Sequence, residues 1–390
     1  MMPIRVGVLG VGKTKHGTHY DKSLRDLMVE AGRKAMADAG LEPRDIDVLV
    51  VGNAASLGFN MENNVSALAA DHLGLVPKPN VRCEAACGTG GWAAQIALMG
   101  ILAGFYRTAL VIGAEKMSDV TTDVGTTIIA NSADGKEEYF SGLTFPSGVA
   151  MYATRYMARF GATEADLAHV AVKNHYYGAR NPDAQLRFEC TVEEVLKSPY
   201  VAKPLHLYEV CPMTDAASAV VLCHEDIMKA SGKKQVYIIG TGVGSGTFYN
   251  STDQLEDNWA LVERPVKQAY AMAGIGPEQI GIAEIYNAFS IQEILGIEAA
   301  GFAPYGQGYK LVMEGGTHHD GKHPVNISGG VLSKGHPLGA TGTTEIVDVV
   351  QQMRGEFPGV QVPKIPEFGL SINRGGPGSV CVCYVYQRVL

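Results

Sequence analysis

An internal repeat constrains the fold of this chain more than any other feature. The segment Ala37-Asp-Ala-Gly-Leu-Glu-Pro-Arg-Asp-Ile-Asp47 aligns without a gap to Ala271-Met-Ala-Gly-Ile-Gly-Pro-Glu-Gln-Ile-Gly281, at an offset of 234 residues. In both copies a helix is predicted to end at glycine, and a turn containing proline leads to an apolar strand. Each copy continues to a Gly-rich turn that feeds a helix, at 88–91 and at 335–342. The repeat predicts a duplicated domain and not a solenoid array.

Strand and helix patterns alternate within the first copy, which predicts α/β architecture with mixed sheets flanked by helices. Residues 115–230 break this alternation and contain the aromatic segment 139–146 and a predicted helix over 148–160. We therefore divide the chain into an N-terminal half, 1–235, which includes the insertion 115–230, and a C-terminal half, 236–390. An aromatic insertion between two similar halves is expected to select the substrate.

Composition and charge exclude several classes of protein. Apolar residues make up 46% of the chain and charged residues 18%, which is typical of a well-packed globular protein. The net charge is −8 and no Lys/Arg run is present, so nucleic acid is not an expected partner. The longest apolar run, 92–105, is too short to span a bilayer, so no membrane association is expected. Seven cysteines do not form the pattern of a secreted disulfide framework, and we expect a cytoplasmic protein.

A candidate nucleophile lies within V-R-C-E-A-A-C-G-T-G-G-W-A-A-Q-I-A-L-M, residues 81–99. Cys87 is followed by Gly88-Thr-Gly-Gly91 and by good helix formers, which predicts a strand, a tight turn and a buried helix. At the start of a helix, unpaired N–H groups and the helix dipole favour a thiolate, the nucleophilic form of cysteine. A redox pair with Cys83 conflicts with disulfide geometry. From this stretch alone, Cys87 is either a nucleophile or a buried packing residue.

A second pattern, Ser333-Lys-Gly-His-Pro-Leu-Gly-Ala-Thr-Gly342, holds His336 between a glycine and a proline. We expect a rigid loop here, ahead of a helix that begins near Ala340. A histidine fixed in this way suits a general base or an oxyanion donor. A purely structural histidine fits the motif equally well.

Three further patterns favour structural interpretations. Gly7-Val-Leu-Gly-Val-Gly-Lys-Thr14 matches the P-loop pattern, but no helix pattern begins at its Lys-Thr, so a nucleotide site is not expected. The histidine-rich run 317–323 lacks cysteine partners at zinc-finger spacing, so we interpret it as a solvated loop and expect no metal. Cys381 and Cys383 alternate along a predicted strand and are interpreted as packing residues.

Taken together, these features resemble the thiolase superfamily over essentially the whole chain. The resemblance rests on Cys87 in its Gly-rich turn, on Gly335-His336-Pro337, on the duplication and on the insertion. Finer motifs are similar to the branch of archaeal and sterol-carrier-protein-type thiolases, namely Ala171-Val-Lys-Asn-His175, Asn181-Pro-Asp-Ala-Gln185 and Pro324-Val-Asn-Ile-Ser-Gly-Gly330. The resemblance implies the duplicated five-layer αβαβα thiolase fold, with mixed sheets and buried central helices.

The resemblance also implies roles for individual residues. Cys87 is expected to carry the acyl group, and His336 to activate it and to help bind a thioester oxygen. Tyr286-Asn-Ala-Phe289 stands where the family has N-E-A-F, so the Tyr286 hydroxyl and the Asn287 amide are expected to donate to an oxyanion. The N–H of Gly375, with that of Cys87, is expected to form a second oxyanion hole.

Coenzyme A is the expected ligand, as a substrate and not as a tightly bound cofactor. Contacts to it are expected at Ser328 and Gly329, within the third of the finer motifs.

The chain departs from the family at both positions that supply a second catalytic cysteine. Asn373-Arg-Gly375 replaces the C-x-G motif, and Ala288 stands where the alternative cysteine of H-D-C-F is found. The family's usual proton shuttle at the substrate α-carbon is therefore not recognisable. These departures argue against an ordinary acetoacetyl-CoA enzyme, and we expect a larger or unusual acyl group, such as that of benzoylsuccinyl-CoA.

The resemblance implies thiolytic cleavage of a 3-oxoacyl-CoA, or the reverse Claisen condensation, through an acyl-cysteine. An acetoacetyl-CoA thiolase of archaeal type is the alternative, and a non-catalytic acyl-CoA-binding or scaffold protein is an alternative of another class. A ketosynthase-like condensation is a third, but it usually pairs the cysteine with two histidines and one is evident here. Acyl-CoA, a second copy of the chain and a small zinc-ribbon/OB-fold subunit are the implied partners.

Overall fold

Helices and strands alternate along the computed structural model, which describes residues 5–248, 254–376 and 378–389. The strands are β1 (Val6–Lys13), β2 (Val48–Gly52), β3 (Asn80–Cys83), β4 (Thr108–Glu115), β5 (Tyr200–Ala202), β6 (Leu205–His206), β7 (Ala216–His224), β8 (Gln235–Ser245), β9 (Ile280–Ile285), β10 (Phe368–Gly375) and β11 (Val380–Val389). The helices are α1 (Leu24–Ala39), α2 (Ser56–Asn60), α3 (Val65–His72), α4 (Thr89–Leu102), α5 (Thr122–Ala130), α6 (Phe145–Phe160), α7 (Glu164–Arg180), α8 (Val192–Lys197), α9 (Glu225–Ala230), α10 (Gln254–Ala273), α11 (Ser290–Ala299), α12 (Gly308–Met313), α13 (Gly330–Lys334) and α14 (Thr341–Arg354).

The order of the strands displays the duplication. The described strands form a nine-stranded mixed sheet in the order β3-β2-β4-β7-β1-β8-β11-β10-β9. β2 is parallel to β4, and β7 is antiparallel to both β4 and β1. The second half repeats these relations, since β9 is parallel to β10, and β11 is antiparallel to both β10 and β8. Within the described sheet, the strands of the two halves pair with each other where Val6 and Gly7 of β1 meet β8. The predicted duplication is thus confirmed, whereas the boundary at 235/236 stays a prediction.

The two copies of the sequence repeat have the same local structure. Helix α1 ends at Gly40 (φ 70°), and α10 is followed by Gly274 (φ 71°), so both glycines adopt the left-handed conformation that ends a helix. A single 3₁₀ turn begins at Pro43 in the first copy and at Pro277 in the second, and a buried strand follows each.

Helices flank and separate the two halves of the sheet. Helix α1 packs on β1, β4 and β7, and α10 packs on β8 and β11. Helix α4 packs on β2 and β4, α14 packs on β9 and β10, and the two helices contact each other. The close approach depends on Gly90, which has no side chain. A Cβ at this position would lie only 2.7 Å from the backbone N of Thr343. The result is the predicted five-layer αβαβα arrangement with buried central helices.

The insertion 115–230 contributes helices α5 to α9, the short strands β5 and β6, and one central strand. The central strand is β7, which lies between β4 and β1 in the sheet. Helix α7 packs against α11, α12 and α13 of the second half. The insertion is therefore anchored on both sequence copies.

The remaining sequence patterns have structural explanations. Residues 7–13 of the P-loop pattern lie in β1, and the buried Lys13 ammonium is 2.7 Å from Asp348 and 3.2 Å from Asp183, so no phosphate loop is present there. Cys381 and Cys383 are fully buried in β11, as expected of packing residues. The run 317–323 is less solvated than predicted, because the buried His323 stacks on Phe302 at 4.5 Å.

Two properties of the described residues bear on metal and membrane binding. Within those ranges, no three or more His, Cys, Asp or Glu side chains are grouped so that they could hold a metal ion. No helix of the described chain has both the length and the hydropathy that a membrane span requires.

Candidate active site

Cys87 lies in a strained turn at the start of α4. The strand β3 ends at Cys83, and residues 86–88 form one 3₁₀ turn that leads directly into the helix, as predicted. Ala86 has a φ of 49°, a left-handed conformation that costs a non-glycine residue about 1–3 kcal/mol. The Thr89 hydroxyl stabilises the turn by donating to the carbonyl of Ala86 at 2.6 Å and accepting the N–H of Ala85 at 2.8 Å. The turn places a cysteine at the N-terminus of a buried helix.

The charge state of Cys87 differs from the sequence-based expectation. Burial raises the pKa of this thiol to about 11, because only 6% of the residue is exposed and desolvation penalises a thiolate. Hydrogen bonds from the Tyr286 hydroxyl, from the N–H of Gly376 and from its own N–H lower the pKa only in part. The predicted thiolate is therefore wrong, and Cys87 is a thiol at neutral pH.

Gly375, the last residue of β10, lies directly against the cysteine turn. A Cβ at this position would be 2.3 Å from the backbone N of Gly88, 2.6 Å from the carbonyl O of Ala85 and 2.9 Å from the backbone N of Cys87. Only glycine permits this approach. Gly376 donates its N–H to the Cys87 sulfur, a contact that the sequence analysis did not assign.

His336 is held in one orientation by four neighbouring groups. Its backbone N–H donates to the Thr214 hydroxyl at 3.0 Å and to the carbonyl of Pro212 at 3.4 Å. On the ring, Nδ1 is 2.7 Å from the hydroxyl of Thr341, which in turn donates to the carbonyl of Pro337 at 3.0 Å. Because the Thr341 proton is used there, we assign the imidazole proton to Nδ1. The lone pair of Nε2 then faces Tyr286.

The Tyr286 hydroxyl connects the imidazole to the thiol. It lies 3.0 Å from Nε2 of His336 and forms a hydrogen bond with the side chain of Cys87. Burial lowers the pKa of His336 to about 3 and raises that of Tyr286 well above its usual value, so both are neutral at neutral pH. The three predicted residues are thus brought together, with tyrosine between cysteine and histidine.

Asn287 is fully buried in a polar network and has no free donor. Its amide hydrogens are directed to Asn174 Oδ1 at 3.1 Å and Glu293 Oε2 at 2.7 Å, and its Oδ1 accepts the N–H of Val331 at 2.7 Å. Glu293 also accepts from Asn326 and forms an ion pair with Lys173. These hydrogen bonds fix the segment that carries Tyr286.

Ser328 and Gly329 are buried below the surface. The Ser328 hydroxyl donates to Glu284 Oε2 at 2.7 Å and accepts from Lys334 Nζ at 3.0 Å and from the N–H of Gly330 at 3.2 Å. This leaves the side chain no further hydrogen bond to offer, so the coenzyme A contact predicted here finds no free group on Ser328.

A narrow cavity with a free volume of about 20 Å³ lies beside Gly376. The insertion supplies Leu143, Phe145, Val149 and Tyr152 to its wall, and the second half supplies Gln292 and Arg374. Arg374 is 4% exposed, and its guanidinium donates to Asn258 Oδ1. The cavity therefore combines an apolar wall with a buried cation.

Comparisons with known proteins agree with this geometry. A family model described as "Thiolase, N-terminal domain" matches residues 6–226, and one described as "Thiolase C-terminal domain-like" matches residues 249–388. This chain is a member of the thiolase family. The family is one of acyltransferases, and the matched residues extend over both copies of the repeat.

Three relatives of this thiolase are similar over almost its full length. The acetyl-CoA acetyltransferase of Methanothermobacter thermautotrophicus is 39% identical, covering 98% of this chain and 99% of that protein. The benzoylsuccinyl-CoA thiolase subunit BbsB of Thauera aromatica is 35% identical, covering 95% of each. Human sterol carrier protein 2 is 30% identical, covering 97% of this chain and 71% of that protein. The predicted branch of the family is thus confirmed.

Two solved structures are similar to this thiolase along the whole chain. The "Ltp2-ChsH2(DUF35) aldolase" superimposes with a TM-score of 0.86 at 26% identity and covers 99% of this chain and 98% of that one. Human mitochondrial 3-ketoacyl-CoA thiolase, solved in complex with CoA, superimposes with a TM-score of 0.76 at 17% identity, covering 99% and 98%. The second likeness confirms the predicted fold.

Proposed function

We propose that this thiolase cleaves a 3-oxoacyl-CoA with coenzyme A, or catalyses the reverse Claisen condensation, through an acyl-Cys87 intermediate. The observation that carries the proposal is the hydrogen-bonded series from the Cys87 thiol through the Tyr286 hydroxyl to Nε2 of His336. A thiol with a raised pKa needs a base, and a neutral imidazole is available to it through the phenol.

The acylation step is a proton relay followed by attack. Cys87 gives its proton to the Tyr286 oxygen while Tyr286 gives its own proton to Nε2 of His336. The phenol is therefore protonated both before and after the step. The sulfur then attacks the 3-oxo carbon, and the carbon–carbon bond breaks with its electron pair moving into a thioester enolate. The enolate takes up one proton. The thiol of a second coenzyme A gives up one proton, which balances the proton taken up by the enolate, and its sulfur attacks the acyl group. Cys87 then leaves and recovers its proton from His336 through Tyr286.

We propose that backbone N–H groups beside the Cys87 sulfur stabilise the oxyanion of the tetrahedral intermediate. The N–H groups of Cys87 and Gly376 both point at the sulfur, and Gly375 holds the two segments in contact. Fixed donors of this kind lower a barrier by about 3–4 kcal/mol each. We include Gly375 among the residues of this oxyanion site, because its lack of a side chain lets the end of β10 approach the turn that carries Cys87.

The preferred acyl group is larger than acetyl in this proposal. A bulky group such as that of benzoylsuccinyl-CoA is supported by the 35% identity to BbsB, a thiolase named after that compound, and by the aromatic and aliphatic side chains that the insertion places beside Gly376. The 39% identity to an archaeal acetyl-CoA acetyltransferase supports the second candidate, an acetoacetyl-CoA thiolase.

We propose that the working form is a homo-oligomer that also binds a small zinc-ribbon/OB-fold subunit. Strand β3 is at the edge of the sheet, and the side chain of Val81 within it is 43% exposed, so its open edge is available for pairing with a second copy. Two relatives support the small subunit, since BbsB is named as a subunit and the Ltp2 structure contains a DUF35 protein.

The test is a thiolysis assay on a panel of acetoacetyl-CoA, 3-oxohexanoyl-CoA, benzoylacetyl-CoA and benzoylsuccinyl-CoA. Wild-type protein and Cys190→Ala, which changes a buried cysteine of a separate apolar cluster, are expected to cleave the same panel members. Cys87→Ala is expected to cleave none. Full activity in Cys87→Ala, or binding without cleavage by the wild type, would overturn the proposal, and the second result would favour the non-catalytic alternative.

A further inference from the structure

The proposed reaction needs a proton donor for the α-carbon of the enolate. In this chain neither of the two family positions that supply a second cysteine carries such a donor. Asn373 is 3% exposed, and its Oδ1 accepts the N–H of Gly91 in α4 at 3.2 Å, so this side chain is part of the helix packing. Ala288 is 1% exposed and has no ionisable group. Neither residue can protonate the α-carbon of the enolate.

Cys211 lies beside Ala288 although the two are far apart in sequence. The backbone N–H of Cys211 donates to the carbonyl of Ala288 at 2.9 Å, and the adjacent residues Val210 and Phe289 form an antiparallel bridge. This pairing places Cys211 next to the segment that carries Tyr286. A cysteine is therefore present close to the position that lacks one.

The residues that follow Cys211 hold the other side of the site. The carbonyl of Pro212 accepts the backbone N–H of His336 at 3.4 Å, and Met213 forms a parallel bridge with His336. The short segment 210–213 thus contacts both the residues after β9, which include Tyr286, and the loop that carries His336. Cys211 is half-buried and is not in a disulfide.

Cys211 interacts electrostatically with both Cys87 and Tyr286. Burial raises the pKa of Cys211 far above its usual value, and the neighbouring Cys87 raises it further. Both sulfurs in turn raise the pKa of Tyr286. Cys211 is therefore protonated at neutral pH, which is the state that a proton donor needs.

We infer that Cys211 is the second catalytic thiol of this enzyme and protonates the α-carbon of the departing enolate. The inference rests on the proposed function. The S–H bond of Cys211 breaks as the new C–H bond forms, which leaves a thiolate on Cys211 and a neutral acyl-CoA. The Cys211 thiolate then takes the proton of the incoming coenzyme A, whose own thiolate attacks acyl-Cys87. Both cysteines end the cycle protonated.

The test separates acyl transfer from proton transfer at carbon in Cys211→Ala and in the size-matched Cys211→Ser. Exchange of isotopically labelled coenzyme A into acetyl-CoA and benzoyl-CoA requires Cys87 but no α-carbon chemistry. Thiolysis of acetoacetyl-CoA and benzoylsuccinyl-CoA, and deuterium uptake from D₂O at the α-carbon of acetyl-CoA and succinyl-CoA, require the proton donor. Cys190→Ala serves as the matched control.

Both Cys211 variants are expected to lose thiolysis and deuterium uptake by about 10²–10⁴-fold and to retain coenzyme A exchange within about threefold. Thiolysis near the wild-type rate in either variant overturns the inference and leaves the proposed function intact. Equal loss of exchange and thiolysis also overturns it, because that pattern marks a structural role. If the wild type forms no acyl-Cys87 with these thioesters, the proposed function fails and the inference fails with it.

Discussion

The Tyr286 hydroxyl lies 3.0 Å from Nε2 of His336 and also hydrogen bonds the thiol of Cys87, so a phenol separates the base from the nucleophile. In this arrangement histidine acts on cysteine through tyrosine. The relay predicts that the phenol is as necessary for acylation as the imidazole.

Replacing Tyr286 with phenylalanine removes one oxygen from the relay. Acylation of Cys87 is expected to slow by about 10²–10⁴-fold, because general-base assistance is lost, while KM changes little. Pre-steady-state acylation measures the step. Tyr237→Phe is the matched control, since its hydroxyl contacts Gln235 in β8 and not the site. Acylation of Tyr286→Phe at the wild-type rate would show that His336 reaches Cys87 by another route.

The rate at which iodoacetamide alkylates Cys87 is expected to depend on pH as it does for a thiol whose pKa is raised to about 11. Because the thiolate reacts, the rate is expected to rise about tenfold per pH unit from pH 7 to 10 without levelling off. Tyr286→Phe is expected to react more slowly at each pH, because the path that carries the thiol proton to His336 is lost. A rate that levels off near pH 7, measured by peptide mass spectrometry, would restore the thiolate interpretation.

Gly375→Ala places a Cβ 2.3 Å from the backbone N of Gly88 and is expected to displace the cysteine turn. We expect a loss of about 1–3 kcal/mol in the free energy of unfolding and about a hundredfold slower acylation. Urea denaturation and the acylation assay measure the two effects. Gly17→Ala is the control, because nothing lies within 4 Å of its added Cβ. Equal behaviour of the two variants would mean that the close approach is unimportant.

His175 provides a test of pH-dependent stability away from the nucleophile. Burial lowers its pKa to about 4, and the hydrogen bond to the carbonyl of Tyr208 at 3.2 Å opposes this only in part. The unfolded chain, with a pKa near 6.5, therefore binds more protons between pH 6.5 and 4, so the folded state loses stability as the pH falls through this range.

The expected size of this effect is about 3 kcal/mol relative to His175→Gln, which keeps a donor for Tyr208 but does not titrate. Urea unfolding at pH 4.5 and at pH 7.5 measures the difference. Wild-type protein is expected to lose stability relative to the variant at the lower pH. A difference that is the same at both values, or that has the opposite sign, would contradict the burial argument.

Local signals in the sequence were sufficient for the main elements of the site. Glycines and prolines at fixed spacing predicted the duplicated halves, because turns and helix ends depend on neighbouring residues. Cys87 before a helix and His336 between glycine and proline were predicted for the same reason. Their relation through Tyr286 was less accessible, since the distances depend on how the halves pack.

The features that sequence analysis missed depend on contacts between distant segments. The raised pKa of Cys87 results from burial by the second half, which a motif at 81–99 does not report. Asn287 was predicted to face an oxyanion, but Glu293 and Asn174 take both of its donors. Cys211 was visible in Cys211-Pro-Met-Thr-Asp215 and was given no role, because only the fold places it beside Ala288.

Peptide mass spectrometry after rapid quenching of the protein with each 3-oxoacyl-CoA tests the central claim most directly. We predict one added acyl group, located on the peptide that contains Cys87, and a strong decrease of that species in Tyr286→Phe and in a His336→Asn variant. Acylation of a different residue, or acyl-Cys87 forming at the same rate in all three proteins, would contradict the relay.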